Sequence, residues 1–337
     1  MKRTMWALVG ATAVAAATGV SLAVLPAFAS DGTSAAAPHA GHGAAGAVAA
    51  DGRGPAAAPK AAQFFLASLN GANEVQNPGG PIVGDSDGVA LQFVKVEGNK
   101  VSVAIKFRAT QKPTMLHIHQ GVRGVNGGIK IDLTPLAGGV KPINGWTGSV
   151  QGSVTVTDAA ALDAFTKNPN GHYANFHTAE FPGGAVRGQF HKVTSAFPFE
   201  KALTNFQASV VTGDQIYECK TNAGGAPNSF QQRDVTATLA GHIAHSFVAP
   251  NSGKPQWIAT DRSAITGALI KATPNGEDNI AELDLKATQS GAATGLFATT
   301  QELFRLNTVG GVAPNGTCRV GQIVKVPYGA DYVFLQK

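Results

Sequence analysis

From Gln63 onward the sequence is built of short runs that alternate apolar and polar residues, cut at close intervals by Gly, Asn, Asp and Pro. A period of two sends every second side chain to the same face, which is the pattern of a strand packed on one side. Val101-Ser102-Val103-Ala104-Ile105-Lys106-Phe107 and Val150-Gln151-Gly152-Ser153-Val154-Thr155-Val156 show it most clearly. Ala281–Lys286 and Asp331–Leu335 repeat it later in the chain. Gly84-Asp85-Ser86-Asp87-Gly88 and Glu97-Gly98-Asn99-Lys100 read as turns. One helix is predicted over Asp158–Phe165, with Asp158 as its N-cap and Asn168-Pro169-Asn170-Gly171 as its stop. Many short strands with regular turns predict an all-β protein of two β-sandwich or barrel-like domains. The chain of 337 residues is long enough for two separate cores.

The first sixty residues have another texture. Lys2 and Arg3 precede an apolar stretch from Met5 to Val24, and Pro26-Ala27-Phe28-Ala29 supplies a small-x-small cleavage site. Residues 1–29 therefore read as a secretory signal peptide, cut before Ser30. Residues 30–61 are almost entirely Ala, Gly, Pro and His and predict a disordered linker, since they bury too little apolar surface to offset the entropy of ordering. His39 and His42 within it are expected to be solvated. The folded domains are expected over 62–194 and 203–337, with Thr194–Thr204 and its Pro198 as a hinge.

Export agrees with the rest of the composition. Cys219 and Cys318 are the two cysteines, and an even count in an exported chain predicts one disulfide between them. The formal charge of +5 falls to +3 once Lys2 and Arg3 leave with the leader. The basic residues are scattered without an aromatic platform, which argues against nucleic acid as a partner. After the leader no apolar run is long enough for a membrane span.

Three stretches carry a resemblance in the first domain: Leu69-Asn70-Gly71-Ala72-Asn73-Glu74-Val75, Leu116-His117-Ile118-His119-Gln120-Gly121, and Tyr173-Ala174-Asn175-Phe176-His177-Thr178 continuing to Pro182-Gly183-Gly184-Ala185-Val186-Arg187-Gly188-Gln189. In this order they resemble the CHRD domain, a module named from chordin and common in secreted bacterial proteins. Gln76 and Asn77 stand before Pro78 where that family usually has two prolines. In the second domain Ile216-Tyr217-Glu218-Cys219, Gly295-Leu296-Phe297-Ala298, Arg305–Pro314, Cys318 and Val326–Phe334 resemble an uncharacterised secreted family. The resemblances imply two module types and no activity.

Chemistry is concentrated at His117-Ile118-His119. On a strand both imidazoles share one face, and two His on one face can hold a metal such as copper or zinc. His177, at the end of the strand-like Tyr173–His177, is the third candidate, and Arg187 follows the Gly183-Gly184 turn. This order is similar to the copper half of copper/zinc superoxide dismutase. The similarity implies copper at His117, His119 and His177, with Arg187 guiding an anion. A bridging His, a zinc cluster and a settled fourth ligand are missing, and His172 falls on the opposite face. The plain alternative is that the three imidazoles hydrogen-bond within a turn network.

Other signals exclude more than they propose. No Gly-x-Ser-x-Gly elbow and no phosphate-cradling Gly-rich loop occur. Glu180 and Asp132 lack an evident acid/base partner. Asp85 and Asp87 lack the bidentate Glu of a calcium loop. His242 and His245, three apart in a β-like setting, read as ordinary polar positions. The reading is a secreted, non-catalytic, two-module protein that binds an extracellular or cell-envelope partner or matrix. Its alternative is an extracellular copper protein with superoxide-dismutase-like redox chemistry at the three-His site.

Overall fold

The computed structural model describes residues 61–337; the expected leader and nearly all of the expected linker, with His39 and His42, lie outside the described residues. The first half forms one ten-stranded antiparallel sheet. Its strands are β1 (Gln63–Asn70), β2 (Val89–Glu97), β3 (Lys100–Arg108), β4 (Met115–Gln120), β5 (Ile129–Asp132), β6 (Lys141–Ile143), β7 (Trp146–Thr155), β8 (His172–His177), β9 (Val186–Gln189) and β10 (His191–Val193). They lie in the order β5-β4-β8-β9-β1-β2-β3-β7-β6, with β10 paired to β1. Phe107 on β3 and Phe176 on β8 are four strands apart in that order, yet their rings are 5.1 Å apart. The sheet is therefore curled around its own apolar face. Phe65, Val103, Ile105, Leu116, Ile118 and Phe176 fill the interior.

The single α-helix among the described residues, α1 (Ala159–Lys167), sits where the sequence predicts it. The Asp158 carboxylate accepts from the amides of Ala160 and Ala161, which satisfies two donors that the first turn leaves free. Leu162 and Phe165 face inward, and Phe165 packs on Phe65 at 4.7 Å and Phe190 at 5.1 Å.

The second half is a closed barrel of eight antiparallel strands in sequence order. These are β11 (Phe206–Lys220), β12 (Ser229–Leu239), β13 (Ile243–Phe247), β14 (Pro255–Ile258), β15 (Ala264–Thr273), β16 (Glu282–Gln289), β17 (Thr300–Gly310) and β18 (Ile323–Gln336), and β18 closes onto β11. Closure removes the unpaired edges that an open sheet presents. Cys219, buried near the end of β11, is bridged to Cys318 in the loop before β18, 99 residues on.

Alternation on β17 and β18 serves two cores at once. Leu303, Tyr332 and Phe334 point into the barrel, while Phe304, Leu306, Val333 and Leu335 point out. The outward set packs on Leu66, Leu91 and Phe93 from the outer face of β1 and β2. Phe197 and Ala202 join this third cluster, so Thr194–Thr204, the hinge read from the sequence, is packed against both modules. Glu302 fixes it further by accepting from the amides of Thr194 (2.9 Å) and Ser195 (2.6 Å). No helix of the described residues is long and apolar enough to cross a membrane.

Candidate metal centre

β8 runs between β4 and β9, with His117 opposite Asn175, His119 opposite Tyr173, and Asn175 opposite Arg187. Because side chains alternate, Leu116, Ile118 and Phe176 enter the core while His117, His119, Tyr173, Asn175, His177 and Arg187 project from the other face. Met115, the cross-strand partner of His177, shares that face. His172 lies on the core side, against Phe165, with its Nδ1 on the Asn168 carbonyl.

His117, His119 and His177 each offer one ring nitrogen, and these nitrogens all lie within 4.8 Å of one another. The remaining ring nitrogens are engaged. His119 donates from Nδ1 to the Gly127 carbonyl (2.9 Å), and His177 donates from Nδ1 to the Pro182 carbonyl (3.0 Å). A carbonyl only accepts, so neutral His119 and His177 both carry a bare Nε2. The Nε2 of His119 is buried and has no partner. His117 directs Nε2 toward the Thr134 hydroxyl (3.3 Å) and the Asp132 carboxylate (3.7 Å), and Nδ1 toward His177 Nε2 at 3.2 Å.

The carboxylate favours a proton on His117 Nε2, which leaves two lone pairs facing each other across 3.2 Å. Two nitrogens about 2.0 Å from one ion at a tetrahedral angle stand about 3.3 Å apart. Ligands of one such ion can be no more than about 4 Å apart, so a span of 4.8 Å asks the widest pair of rings to close by at least about 0.8 Å, and by about 1.5 Å for a tetrahedral angle. The opposing tautomer, with His117 donating from Nδ1 to His177, gives the hydrogen-bonded turn network instead. Burial holds all three imidazoles below the ordinary histidine range, His119 down to about 4 against the pull of its Gly127 hydrogen bond. For His117 the neighbouring His177 adds to the depression and Asp132 opposes it. Neutral imidazole is the form that ligates.

The surroundings brace this arrangement. Arg187 is 1% exposed. Its guanidinium donates to the Val122 and Val125 carbonyls and to Asn126 Oδ1, and stacks 3.5 Å above the Tyr173 ring centre. His119 stacks on the same ring from the β4 side, 4.8 Å away and 6° from parallel. Arg187 therefore holds the loop that orients His119 from a buried position, where the similarity to superoxide dismutase implies a guide for anions. Gly127 completes the loop: a Cβ there would collide with the Gln120 carbonyl, and its amide donates to the Tyr173 hydroxyl.

Sequence reasoning did not single out Glu74. Asn175 donates to its Oε2 across 3.5 Å, and its Oε1 is buried without a partner. Burial pushes it up to about 8, against the Arg187 charge and the Asn175 amide. Its place in the Asn73-Glu74-Val75 segment that carries the family resemblance was the available signal. Asp132, read as isolated, lies beside His117. Glu180 accepts only from Gln111 at the surface. His242 is exposed on a turn and His245 is buried in the barrel, so those two do not form a pair.

The CHRD domain family matches residues 65–190, and the family described as Protein of unknown function (DUF3455) matches residues 229–336. The chain thus carries a CHRD domain followed by a DUF3455 domain. No curated protein matches it. No solved structure matches it.

Proposed function

We propose that this is a secreted two-module binding protein whose sheet module holds one late transition-metal ion, copper foremost, through His117 Nδ1, His119 Nε2 and His177 Nε2. The observation that carries the reading is the convergence of three imidazoles whose other ring nitrogens are already engaged by Gly127, Pro182 and Thr134 with Asp132. Such engagement fixes tautomer and ring angle in metal-ligating histidines. The thioether of Met115 on the same face adds a soft donor type suited to copper(I). Burial of Arg187 favours metal holding without turnover over superoxide-dismutase-like chemistry, because a guide for anions has to meet solvent. Export through the leader at 1–29 fits a chain with one disulfide and no free cysteine among the described residues.

Chelator-stripped mature protein titrated with copper(II) and zinc(II), with electron paramagnetic resonance of the copper form, tests this. One copper per chain with nitrogen hyperfine structure is expected, lost in His119→Ala and kept in His242→Ala. Substoichiometric copper that survives His119→Ala would leave the turn network as the role of these residues.

A further inference from the structure

The barrel holds a half-open cavity of about 570 Å³ to which all eight strands contribute. Eight strands make an interior just wide enough to be filled by side chains or to hold one small ligand. Here filling is incomplete, and the volume lies in the range of small-molecule sites. Gly267 keeps the space open beside Trp257, since a Cβ there would stand 3.1 Å from the indole ring.

One wall is flat and aromatic. His245 and Trp257 stack at 4.3 Å, 6° from parallel, and Tyr332 packs edge-on to both at 5.3 and 5.5 Å. His245 is held by its Nδ1 on the Gln256 carbonyl at 2.8 Å. Most of the free polar groups around this wall are donors, His245 Nε2 being bare because Nδ1 donates to Gln256. Trp257 Nε1 and Gln215 Nε2 are buried donors without a partner, on side chains each only 1% exposed. The Gln215 carbonyl is occupied by Gln232 Nε2 at 2.6 Å, so only its N–H groups are free. Arg305 places a guanidinium in the same lining, tied by Nε and Nη2 to the Ala281 carbonyl, and Lys254 adds a second cation from the exposed turn between β13 and β14. No Asp or Glu lines the cavity. Orphaned buried donors are costly unless something accepts from them.

We infer that the barrel binds a small, flat, mostly apolar organic anion, an aromatic carboxylate being the chemistry that fits it. The ring system would lie along the Trp257 and Tyr332 wall, and the carboxylate would accept from Trp257, Gln215 and Arg305. This inference is independent of the metal reading, since none of the three histidines lines the cavity.

Calorimetric titration of the full mature chain with 2-naphthoate, and with uncharged 2-naphthamide as its counterpart, tests it. Saturable binding of one naphthoate per chain is expected, at least about tenfold tighter than the amide, as for loss of a hydrogen bond to a charged group. Arg305→Met should bring naphthoate down to the amide's affinity. Arg305 also holds Ala281, so Gln215→Leu serves as the second variant, with several-fold weaker naphthoate binding at an unchanged melting temperature. His119→Ala should bind naphthoate as wild type does, which separates this result from the fate of the metal site. Failure of the folded wild type to bind naphthoate, equal affinity for both probes, or undiminished binding in both variants would overturn the assignment.

Discussion

His191 of the sheet meets Glu282 of the barrel with Nε2 and Oε2 3.1 Å apart, and both side chains are buried. Glu282 also accepts from the Asn307 amide at 2.7 Å and from the Arg123 guanidinium. One carboxylate thus gathers donors from both modules. Burial alone would raise its pKa; the hydrogen bond and charge of His191, the Arg123 charge and the Asn307 amide outweigh that and hold it below the ordinary carboxylate range.

Glu282→Ala should therefore destabilise the protein by about 3–5 kcal/mol, the usual consequence of removing one partner of a buried pair. Glu282→Gln should cost less, because an amide oxygen still accepts. Urea unfolding midpoints measure both. A Glu282→Ala protein within experimental error of wild type would mean that the interface rests on its apolar cluster alone.

His245 gives the barrel a pH dependence. Burial lowers its pKa to about 3, against its hydrogen bond to Gln256, while the unfolded chain keeps the ordinary value. Between those values the unfolded state takes up a proton that the folded state refuses. Stability is therefore complete above about pH 6.5 and declines as pH falls toward 3. The melting temperature of wild type should drop across this window more steeply than that of His245→Gln. Parallel profiles would exclude His245 as the source.

Arg187 should matter to metal affinity without touching the metal. Arg187→Met releases the Val122 and Val125 carbonyls and with them the loop carrying Gly127, the partner of His119 Nδ1. Loss of such support typically lowers metal affinity by about 10–100-fold. Competition titration against a chelating dye should show this, with stoichiometry unchanged. An affinity equal to wild type would show that the loop holds its position without Arg187.

The Cys219–Cys318 bridge closes a loop of 99 residues in sequence. In the chain-entropy model that is worth about 4–5 kcal/mol, less any strain in the native state. Cys219→Ser with Cys318→Ser should lower the unfolding midpoint accordingly, and copper stoichiometry at the sheet module should stay the same. An unchanged midpoint would mean that the reduced, unfolded chain is already constrained.

Local signals were legible where neighbours in sequence are neighbours in space. The alternation of Val101–Phe107 is β3, the Asp158 cap begins α1, and the period of two at His117 and His119 puts both rings on one face. His177 was marked by its place at the end of the strand-like Tyr173–His177. What stayed hidden depends on distant segments. Asp132 reaches His117 through the β4–β5 pairing, and Glu74 reaches Asn175 across 101 residues. The burial of Arg187 is set by the loop that folds over it, and no pattern around residue 187 records that. The third apolar cluster was invisible for a related reason: β17 and β18 alternate as any barrel strands do, and only the packed structure shows that their outward residues are covered.

That shared cluster sets an order for biosynthesis. β18 leaves the ribosome after every strand it completes. Until Val333 and Leu335 arrive, the lid that Phe197, Phe304 and Leu306 begin over Leu66, Leu91 and Phe93 of the sheet is incomplete, and β11 lacks the partner that makes the barrel a ring. A nascent chain stalled before residue 323 would show two sticky surfaces at once, one on each module, and both would vanish together as the final strand threads into place.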